Sequence, residues 1–276
     1  MRAEELQKIA HDIRLTTFKK LAQAGNGHWG GSFSQVEIIT TLYYSEMKID
    51  PQNPQLEDRD RFILSKGHAS PSLYTLLAKK GFFPIEWLDE LEISGGKLPK
   101  HADRFKAPGV DVSTGSLGQG LSVGVGTAFG SRVRDLNSRT YVLIGDGECN
   151  EGMVWEAAMT AAKYKLDNLV AIVDDNGVQC DGSGCDIMPI DPLDEKWKAF
   201  NWNVIKIDGH NIQQILDAFK EARETKGKPT VIIANTVKGK GISFMEGKYQ
   251  WHNGAITPEQ INIGMSELEG ASKSCC

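Results

Sequence analysis

Short apolar runs alternate along this chain with segments of helical periodicity, and this alternation limits the possible folds more than any other feature. Five runs predict strands, at Arg61–Leu64, Tyr141–Ile144, Leu169–Val173, Val204–Ile207 and Thr230–Ala234. Helical patterns lie between most of them, at Gly118–Arg134, Met153–Lys165 and Ile212–Glu224. Strands that are apolar on both faces are typical of parallel sheets, whose crossover connections cover both faces with helices. We therefore predict an α/β fold, a parallel sheet with helices on both faces, in a single domain over residues 1–276.

Further helices are predicted before the first strand, directly after it and at the C-terminal end of the chain. Apolar residues recur on one face of a helix over about residues 3–23. Two further helix starts have typical capping patterns, Ser34 with Glu37 three residues later and the pair Ser70-Pro71. Residues 259–276 are expected to form a C-terminal helix or tail.

Charge and cysteine usage exclude several classes of protein. The chain has 31 Lys and Arg against 36 Asp and Glu, a net charge of −5, which argues against nucleic acid or an anionic membrane as partner. No apolar run approaches the ~20 residues that span a bilayer, and the charged start does not resemble a secretory signal. The five cysteines lack metal-ligand spacing, which is typical of reduced thiols. We therefore expect a cytoplasmic protein without membrane or nucleic-acid partners.

Three long stretches show no periodicity, at Ser94–Ser116, Asp174–Pro192 and Asn235–Thr257. Loops of this length within a compact domain are usually functional or disordered. Two of them directly follow predicted strands, and ligands of open parallel sheets bind outside the carboxyl ends of the strands. We expect the functional site there.

The chemistry is concentrated in one predicted βαβ unit. Gly145-Asp146-Gly147 directly follows one strand, and Asn176 follows the next strand, thirty residues after Asp146. Carboxylate, amide and carbonyl oxygens suit Mg²⁺ or Ca²⁺, and the glycines let a diphosphate approach the backbone and the following helix. Each motif by itself is more often a plain turn. Their joint spacing favours a metal–diphosphate site.

These residues resemble the thiamine-diphosphate fingerprint, and the longer string Gly145-Asp-Gly-Glu-Cys-Asn-Glu-Gly152 resembles transketolase in particular. The resemblance implies the thiamine-diphosphate-binding fold, here its diphosphate-binding domain. It implies metal binding by Asp146, Asn176 and the carbonyl of Val178, and contact of Gly147 with the diphosphate. Glu151 matches an acidic position that lies, in the family, at the dimer interface near the cofactors.

Other motifs along the chain resemble transketolase in the same order, from Asn26-Gly-His28 to Trp251-His252. Carried over, they imply cofactor contacts from His68, Gly115, Leu117 and His252, in addition to Gly147, Glu151 and Asn176. They also imply that three catalytic histidines face the sugar, His28, His101 and His252.

The histidines can be interpreted without the family. Four of the six lie in loops, at positions 28, 68, 101 and 252, whereas His11 and His210 are expected to be structural. A lone loop histidine is usually solvated, but with an ordinary pKa near ~6.5 such residues can relay protons of sugar hydroxyls. Five lysines are candidates to neutralise a sugar phosphate, although most are expected to be solvated: Lys66, Lys97, Lys100, Lys238 and Lys240.

The resemblance covers only the first of the three domains of a full transketolase. It therefore implies an N-terminal subunit that works with a separate C-terminal subunit carrying the pyrimidine-binding domain, as an α2β2 heterotetramer, and that is inactive alone. The implied reaction transfers a two-carbon ketol unit from a ketose or ketose phosphate to an aldose or aldose phosphate. It uses thiamine diphosphate and Mg²⁺, for which Ca²⁺ or another divalent ion can substitute. Both general pentose phosphate metabolism and a specialised catabolic pathway stay open as its setting.

Other functions stay open. The same cofactor serves 1-deoxyxylulose-phosphate synthases and the α subunits of keto-acid dehydrogenases, which use pyruvate-like substrates. A non-catalytic regulatory homologue would also retain the fold. A dehydrogenase of the dinucleotide-binding class is excluded, because no strand leads into a Gly-x-Gly-x-x-Gly sequence with an acidic residue suitably placed after it.

Overall fold

A computed structural model describes the backbone of residues 1–274 and the side chains up to Ala271, so that the Cys275-Cys276 pair lies outside the described residues. All five predicted strands are present, within one or two residues of the expected bounds. They are β1 (Arg61–Leu64), β2 (Thr140–Gly145), β3 (Leu169–Asp175), β4 (Asn203–Asp208) and β5 (Thr230–Asn235).

The five strands form one parallel sheet in the order β1-β2-β3-β5-β4. The central strands β2 and β3 are paired from Thr140 with Leu169 to Gly145 with Asp174. Their carboxyl ends therefore lie side by side, which is where the two polar motifs leave the sheet. The predicted α/β fold with a parallel sheet is confirmed.

Ten helices accompany the sheet in the described part of the chain. They are α1 (Ala3–Ala24), α2 (Trp29–Ser34), α3 (Val36–Thr41), α4 (Ser70–Lys80), α5 (Gln119–Val133), α6 (Gly152–Lys163), α7 (Gly184–Ile187), α8 (Leu193–Ala199), α9 (Ile212–Glu224) and α10 (Pro258–Ser274). The chain also forms short 3₁₀ turns at 67–69, 85–90, 147–150 and 249–251 and a π-helical turn at 42–46. No described helix is long and apolar enough to cross a membrane.

Helices cover both faces of the sheet, as expected for strands that are apolar on both sides. On β3, Val170 and Ile172 pack with α1, α3, α4 and α9, whereas Leu169, Ala171 and Val173 pack with α5, α6 and α8. Alternate residues of one strand thus belong to two separate cores, because successive side chains of a strand point to opposite faces. This explains why the strands lack a polar face.

The capping box at Ser34 was a wrong prediction. Ser34 ends α2, and its hydroxyl donates to the Asp174 carboxylate at 2.6 Å and lies 3.2 Å from the Gly31 carbonyl. Glu37 is buried and accepts from Arg14 and from Nδ1 of His210. Tertiary partners thus take both side chains that a local cap would use. The helix starting at Ser70-Pro71 is present as predicted.

Two short strands from opposite ends of the chain form a separate antiparallel pair. Asn26–Gly27 pairs with Gly254–Ala255, which joins the loop after α1 to the loop before α10. The residues that flank the two short segments include His28 and His252. This contact brings two loops from opposite ends of the chain over the carboxyl ends of the strands.

Candidate active site

A cavity of about 410 Å³ lies at the carboxyl ends of β1, β2 and β3. Every residue that the sequence assigns to the metal, the cofactor or the sugar hydroxyls lines this cavity, with the exception of Glu151. The lining residues are His28, Gly31, Lys66, His68, His101, Gly115, Leu117, Gly145, Asp146, Gly147, Glu148, Asn176, Val178, Gln179, Cys180, Lys238 and His252. Segments far apart in the sequence thus converge on one concave surface.

Hydrogen bonds join the loop after β2 to the loop after β3. One oxygen of the Asp146 carboxylate accepts from the Gly147 amide at 2.9 Å, and the other accepts from the Gly177 amide at 2.7 Å. The Asp146 amide in turn donates to the Asp174 carbonyl at 3.3 Å. Asp146 is therefore held beside the loop that carries Asn176.

Asn176 and Val178 complete a group of oxygens beside Asp146, which we call the strand-end site (Asp146, Asn176 and Val178). Oδ1 of Asn176 accepts from the Val178 amide at 3.2 Å, and the Val178 carbonyl accepts from the Lys238 ammonium at 2.9 Å. Amide and carbonyl oxygens have two lone pairs each, so both oxygens can accept a further partner.

The donor set of the strand-end site fits a magnesium ion. It consists of a carboxylate, an amide oxygen and a backbone carbonyl, all hard oxygen donors, and Mg²⁺ takes few protein ligands and completes its shell with phosphate and water. Burial, together with the neighbouring Asp174 carboxylate, raises the pKa of Asp146 to about 7. A cation beside Asp146 would compensate its buried charge. Among the described residues, no group of three or more His, Cys, Asp or Glu side chains is placed to hold a metal ion.

Two glycines keep the cavity open where a diphosphate would approach. A Cβ atom on Gly147 would lie 3.2 Å from Cγ of Gln179, and one on Gly115 would lie 3.0 Å from Cδ2 of His101. Gly115 also has a φ of +146°, which other residues rarely adopt. At these positions the backbone itself forms the cavity wall, as a ligand rich in hydrogen-bond acceptors requires.

The four loop histidines that line the cavity pack against one another, and we call them the histidine cluster (His28, His68, His101 and His252). The ring of His28 lies 5.2 Å from that of His68, 5.7 Å from that of His101 and 5.6 Å from that of His252. Among the described residues, Nδ1 of His28 is buried without a hydrogen-bond partner. The cluster therefore contains a ring nitrogen whose hydrogen bond is not made within the described residues.

Burial and nearby cations keep the histidine cluster neutral. Burial and then Lys100 lower the pKa of His28 to about 3, and burial and then Lys238 lower the pKa of His252 to about 4. The pKa of His68 is lowered well below its usual value, mainly by burial, and the pKa of His101 is lowered for the same reason. Neutral imidazoles can accept protons and hydrogen bonds from hydroxyl groups.

Two of the five candidate lysines reach the cavity. Lys66 forms an ion pair with Asp174, and Lys238 donates to the carbonyls of Val178 and Gln179 and lies 3.2 Å from Nδ1 of His252. Lys97, Lys100 and Lys240 do not line it. The two inner lysines follow strand ends closely, and this position distinguishes them in the sequence.

Sequence reasoning missed Glu148 as part of the site. Its carboxylate accepts from the hydroxyl of Ser65, from the Gly118 amide at 2.7 Å and from the Gly145 amide at 3.2 Å. It thereby ties the ends of β1 and β2 to the start of α5. No local signal in the sequence separates it from the other polar residues of 145–152.

Glu151 stands apart from the other candidates. It is exposed and directly precedes α6. A Cβ atom added to Gly118 would lie 2.7 Å from the Cβ atom of Glu151. It thus lies next to the loop that carries Leu117, but outside the cavity lining. Its proposed place at a subunit interface stays a prediction.

Comparison with known proteins was made by sequence and by structure. A sequence model described as "Transketolase, thiamine diphosphate binding domain" matches residues 5–270. The 6-deoxy-6-sulfo-D-fructose transketolase subunit SqwG of Clostridium sp. (strain MSTE9) is 48% identical over 265 residues, covering 96% of each chain. An apulose-4-phosphate transketolase subunit of Actinobacillus succinogenes is 43% identical over 268 residues, also covering 96% of each chain.

Solved transketolases share the fold. The crystal structure of the enzyme from Campylobacter jejuni superposes with a TM-score of 0.91 at 29% identity over 99% of this chain. This chain spans only 46% of that enzyme. The sequence match over nearly the whole chain and the structural likeness agree, and the chain belongs to the transketolase family, matching its thiamine diphosphate binding domain.

Proposed function

We propose that this chain is the N-terminal, cofactor-binding subunit of a two-chain transketolase. It would bind thiamine diphosphate and Mg²⁺ in the cavity and transfer a two-carbon ketol unit from a ketose to an aldose. The observation that carries the proposal is the convergence of the strand-end site and the histidine cluster on one cavity. The subunit relatives, which match this chain over 96% of their length, support the two-chain arrangement.

Within this proposal the strand-end site holds the metal. Asp146, Asn176 and the carbonyl of Val178 would be its protein ligands, and Gly147 would contact the diphosphate. The lysines Lys66 and Lys238 would offset the negative charge of the diphosphate, because both line the same cavity. When bound, thiamine diphosphate supplies the carbon nucleophile and the electron sink that breaking and forming a carbon–carbon bond require.

The histidine cluster would serve the remaining chemistry. We propose that His28, His101 and His252 accept and return protons of the sugar hydroxyls, and that His68, Gly115, Leu117 and His252 contact the cofactor. Support comes from their shared place in the cavity lining and from the unpartnered Nδ1 of His28.

An apolar outer surface supports an assembly with other chains. On α5 and α6 the side chains of Val133 and Met159 are 70% and 55% exposed, and Val123, Phe129 and Met153 are also exposed. A helix that is apolar on all sides is usually covered. We propose that the chain forms one diphosphate-binding domain of an α2β2 heterotetramer, whose C-terminal subunit carries the pyrimidine-binding domain, and that Glu151 lies at an interface near the cofactors.

The substrate belongs to the ketoses, with a phosphorylated ketose as our first candidate. The subunit relatives are named for two different sugars, a sulfonated fructose and apulose 4-phosphate. We therefore propose to test donors of a specialised catabolic pathway as well as those of general pentose phosphate metabolism. The free Cys149, Cys180 and Cys185 agree with the cytoplasmic location that we propose.

The test is reconstitution. We expect the purified chain with thiamine diphosphate, Mg²⁺, a ketose phosphate or sulfonated ketose as donor and an aldose phosphate as acceptor to be inactive, and to gain turnover when a separately expressed C-terminal transketolase subunit is added. Turnover by the chain alone would contradict the two-chain proposal. Preference for pyruvate over ketose donors would instead indicate a synthase-like or dehydrogenase-like subunit, and no turnover in any combination would favour a regulatory homologue.

A further inference from the structure

We propose that Asp174 is a positioning residue that determines which end of the Asn176 side-chain amide is presented to the metal. The proposal rests on the proposed function, because it takes Asn176 to be a metal ligand. Asp174 does not line the cavity, whereas Asn176 and Lys66, which both contact it, do. It would therefore act through its neighbours.

Asp174 lies at the carboxyl end of the central strand β3, between Gly145 of β2 and Ala234 of β5. Its side chain is fully buried. One carboxylate oxygen accepts from the Lys66 ammonium and, at 2.6 Å, from the Ser34 hydroxyl, and the other accepts from the Thr236 hydroxyl. Donors from three separate segments of the chain thus hold the carboxylate in one orientation.

The partners of Asn176 permit only one orientation of its amide. Its Nδ2 lies 3.4 Å from both the carbonyl oxygen and the carboxylate Oδ2 of Asp174, which only accept hydrogen bonds. Its Oδ1 accepts from the Val178 amide, which only donates. A flipped amide would place oxygen against two oxygens and N–H groups against an N–H group.

This orientation matters because the two ends of an amide are not equivalent toward a cation. Mg²⁺ binds the amide oxygen, whereas the NH₂ group has no lone pair to offer. With Nδ2 bound to Asp174, the Asn176 oxygen is on the side of Val178, the other proposed ligand of the same loop. Asp174 thus selects the oxygen end, as groups behind metal ligands commonly do.

The neighbouring Asp175 provides a matched control. It carries the same charge at the end of the same strand, but among the described residues no hydrogen bond to its carboxylate is formed, and it does not line the cavity. An effect of charge alone would appear in both variants. An effect of amide orientation would appear only at Asp174.

The first experiment measures Mg²⁺ binding to the full chain by calorimetry in the presence of thiamine diphosphate. We expect Asp174→Asn to weaken Mg²⁺ binding about 10- to 100-fold, in the range of second-layer substitutions at metal sites, and Asp175→Asn to change it by less than about 3-fold. In an Asn176→Asp background, Asp174→Asn should cost less than about 3-fold, because a carboxylate presents oxygen at both ends.

The same comparison of Asp174→Asn in the parent chain and in the Asn176→Asp background can overturn the proposal. An equal loss of affinity from Asp174→Asn in both backgrounds would show that Asp174 acts by charge or by folding rather than through the amide. The proposed function is tested separately by Asn176→Ala. If that variant binds Mg²⁺ as tightly as the parent chain, Asn176 is no ligand, and the metal assignment fails rather than the orientation argument alone.

A measurement on the unsubstituted chain covers the case in which Asp174→Asn does not fold. The side-chain amide signal of Asn176, identified in a ¹⁵N spectrum by its loss in Asn176→Asp, should exchange its protons with water more slowly than that of the exposed Asn201. Exchange as fast as that of Asn201 would contradict the hydrogen bonds to Asp174, and with them the proposal.

Discussion

In the strand-end site, each side-chain oxygen and nitrogen of Asp146 and Asn176 has a partner in the protein. In the histidine cluster, by contrast, Nδ1 of His28 is buried with no partner among the described residues. Both groups face the same cavity. Backbone groups at the ends of β2 and β3 hold the strand-end site. The histidine cluster is instead formed by loops whose imidazole rings pack against one another.

The difference indicates how the two regions acquire their order. The partners of the strand-end site are amides and carbonyls at the ends of β2 and β3, so the fold of the sheet itself arranges it. The histidine cluster depends on loops from opposite ends of the chain, joined by the short pairing of Asn26–Gly27 with Gly254–Ala255. An unpartnered buried polar atom costs about 1–3 kcal/mol, a cost that a bound ligand can remove. We therefore expect substitutions in the two regions to affect different steps.

The largest effect is expected at Asp146. Asp146→Ala removes the only charged ligand that we propose for the metal, and we expect it to abolish metal-dependent binding of thiamine diphosphate, measured by calorimetry with and without Mg²⁺. Asp175→Ala removes the adjacent strand-end acid, which does not line the cavity, and should retain binding. Undiminished affinity in Asp146→Ala would refute its assignment as a ligand.

A large effect on a different step is expected in the histidine cluster. His28→Gln should lower turnover of the reconstituted enzyme about 10²-fold, because proton transfer by a positioned side chain contributes at least this much. Cofactor affinity should change little. His11→Gln, on α1 and outside the cavity lining, is the matched control for turnover. Parallel losses of cofactor binding and turnover in His28→Gln would remove the distinction between the two regions.

Lys238 connects the two regions and should affect both. Its ammonium donates to the Val178 carbonyl and lies beside Nδ1 of His252. We expect Lys238→Met to weaken Mg²⁺-dependent cofactor binding and to lower turnover by about 10-fold each, the usual effect of losing one hydrogen bond from a charged group. Lys240→Met, two residues away and outside the cavity lining, should leave both unchanged. An effect confined to one measurement would assign Lys238 to that region alone.

The smallest effect is a difference in the pH dependence of stability. The lowered pKa of His252, about 4, means that the unfolded chain binds a proton below pH ~6.5 that the folded chain does not. The free energy of unfolding should therefore fall as the pH decreases from 6.5 toward 4. In urea titrations, His252→Gln should reduce this slope by up to about one proton. An unchanged slope would show that His252 is protonated to the same extent in both states.

Much of the fold was predictable because its signals are local. The five strands are continuous apolar runs, and α9 has its buried Ile212, Ile215 and Phe219 at helical spacing. The positions of Asp146 and Asn176 followed from the same reasoning, since residues that end adjacent parallel strands must meet at one edge. The predicted capping box at Ser34 failed because distant partners compete for the same side chains.

The composition of the cavity beyond its motifs was less predictable. Nothing local distinguishes the buried Glu148, which joins Ser65 to the start of α5, from an exposed acid at a helix terminus. Lys66 and Lys238 follow strand ends by two or three residues, but the converging loops decide that these two lysines line the cavity and that Lys97, Lys100 and Lys240 do not.

The sequence by itself determined the alternation of strands and helices, the residues that end each strand and, through its motifs, the family. These properties depend on periodicity and on neighbours within a few residues. Only the tertiary structure decided which polar groups meet. Asp174 meets Ser34 and Lys66, 140 and 108 residues away, and thereby contacts Asn176 in a fixed orientation. Such contacts depend on the packing of the whole sheet, because a hydrogen bond requires placement to within a few tenths of an ångström, which no local pattern specifies.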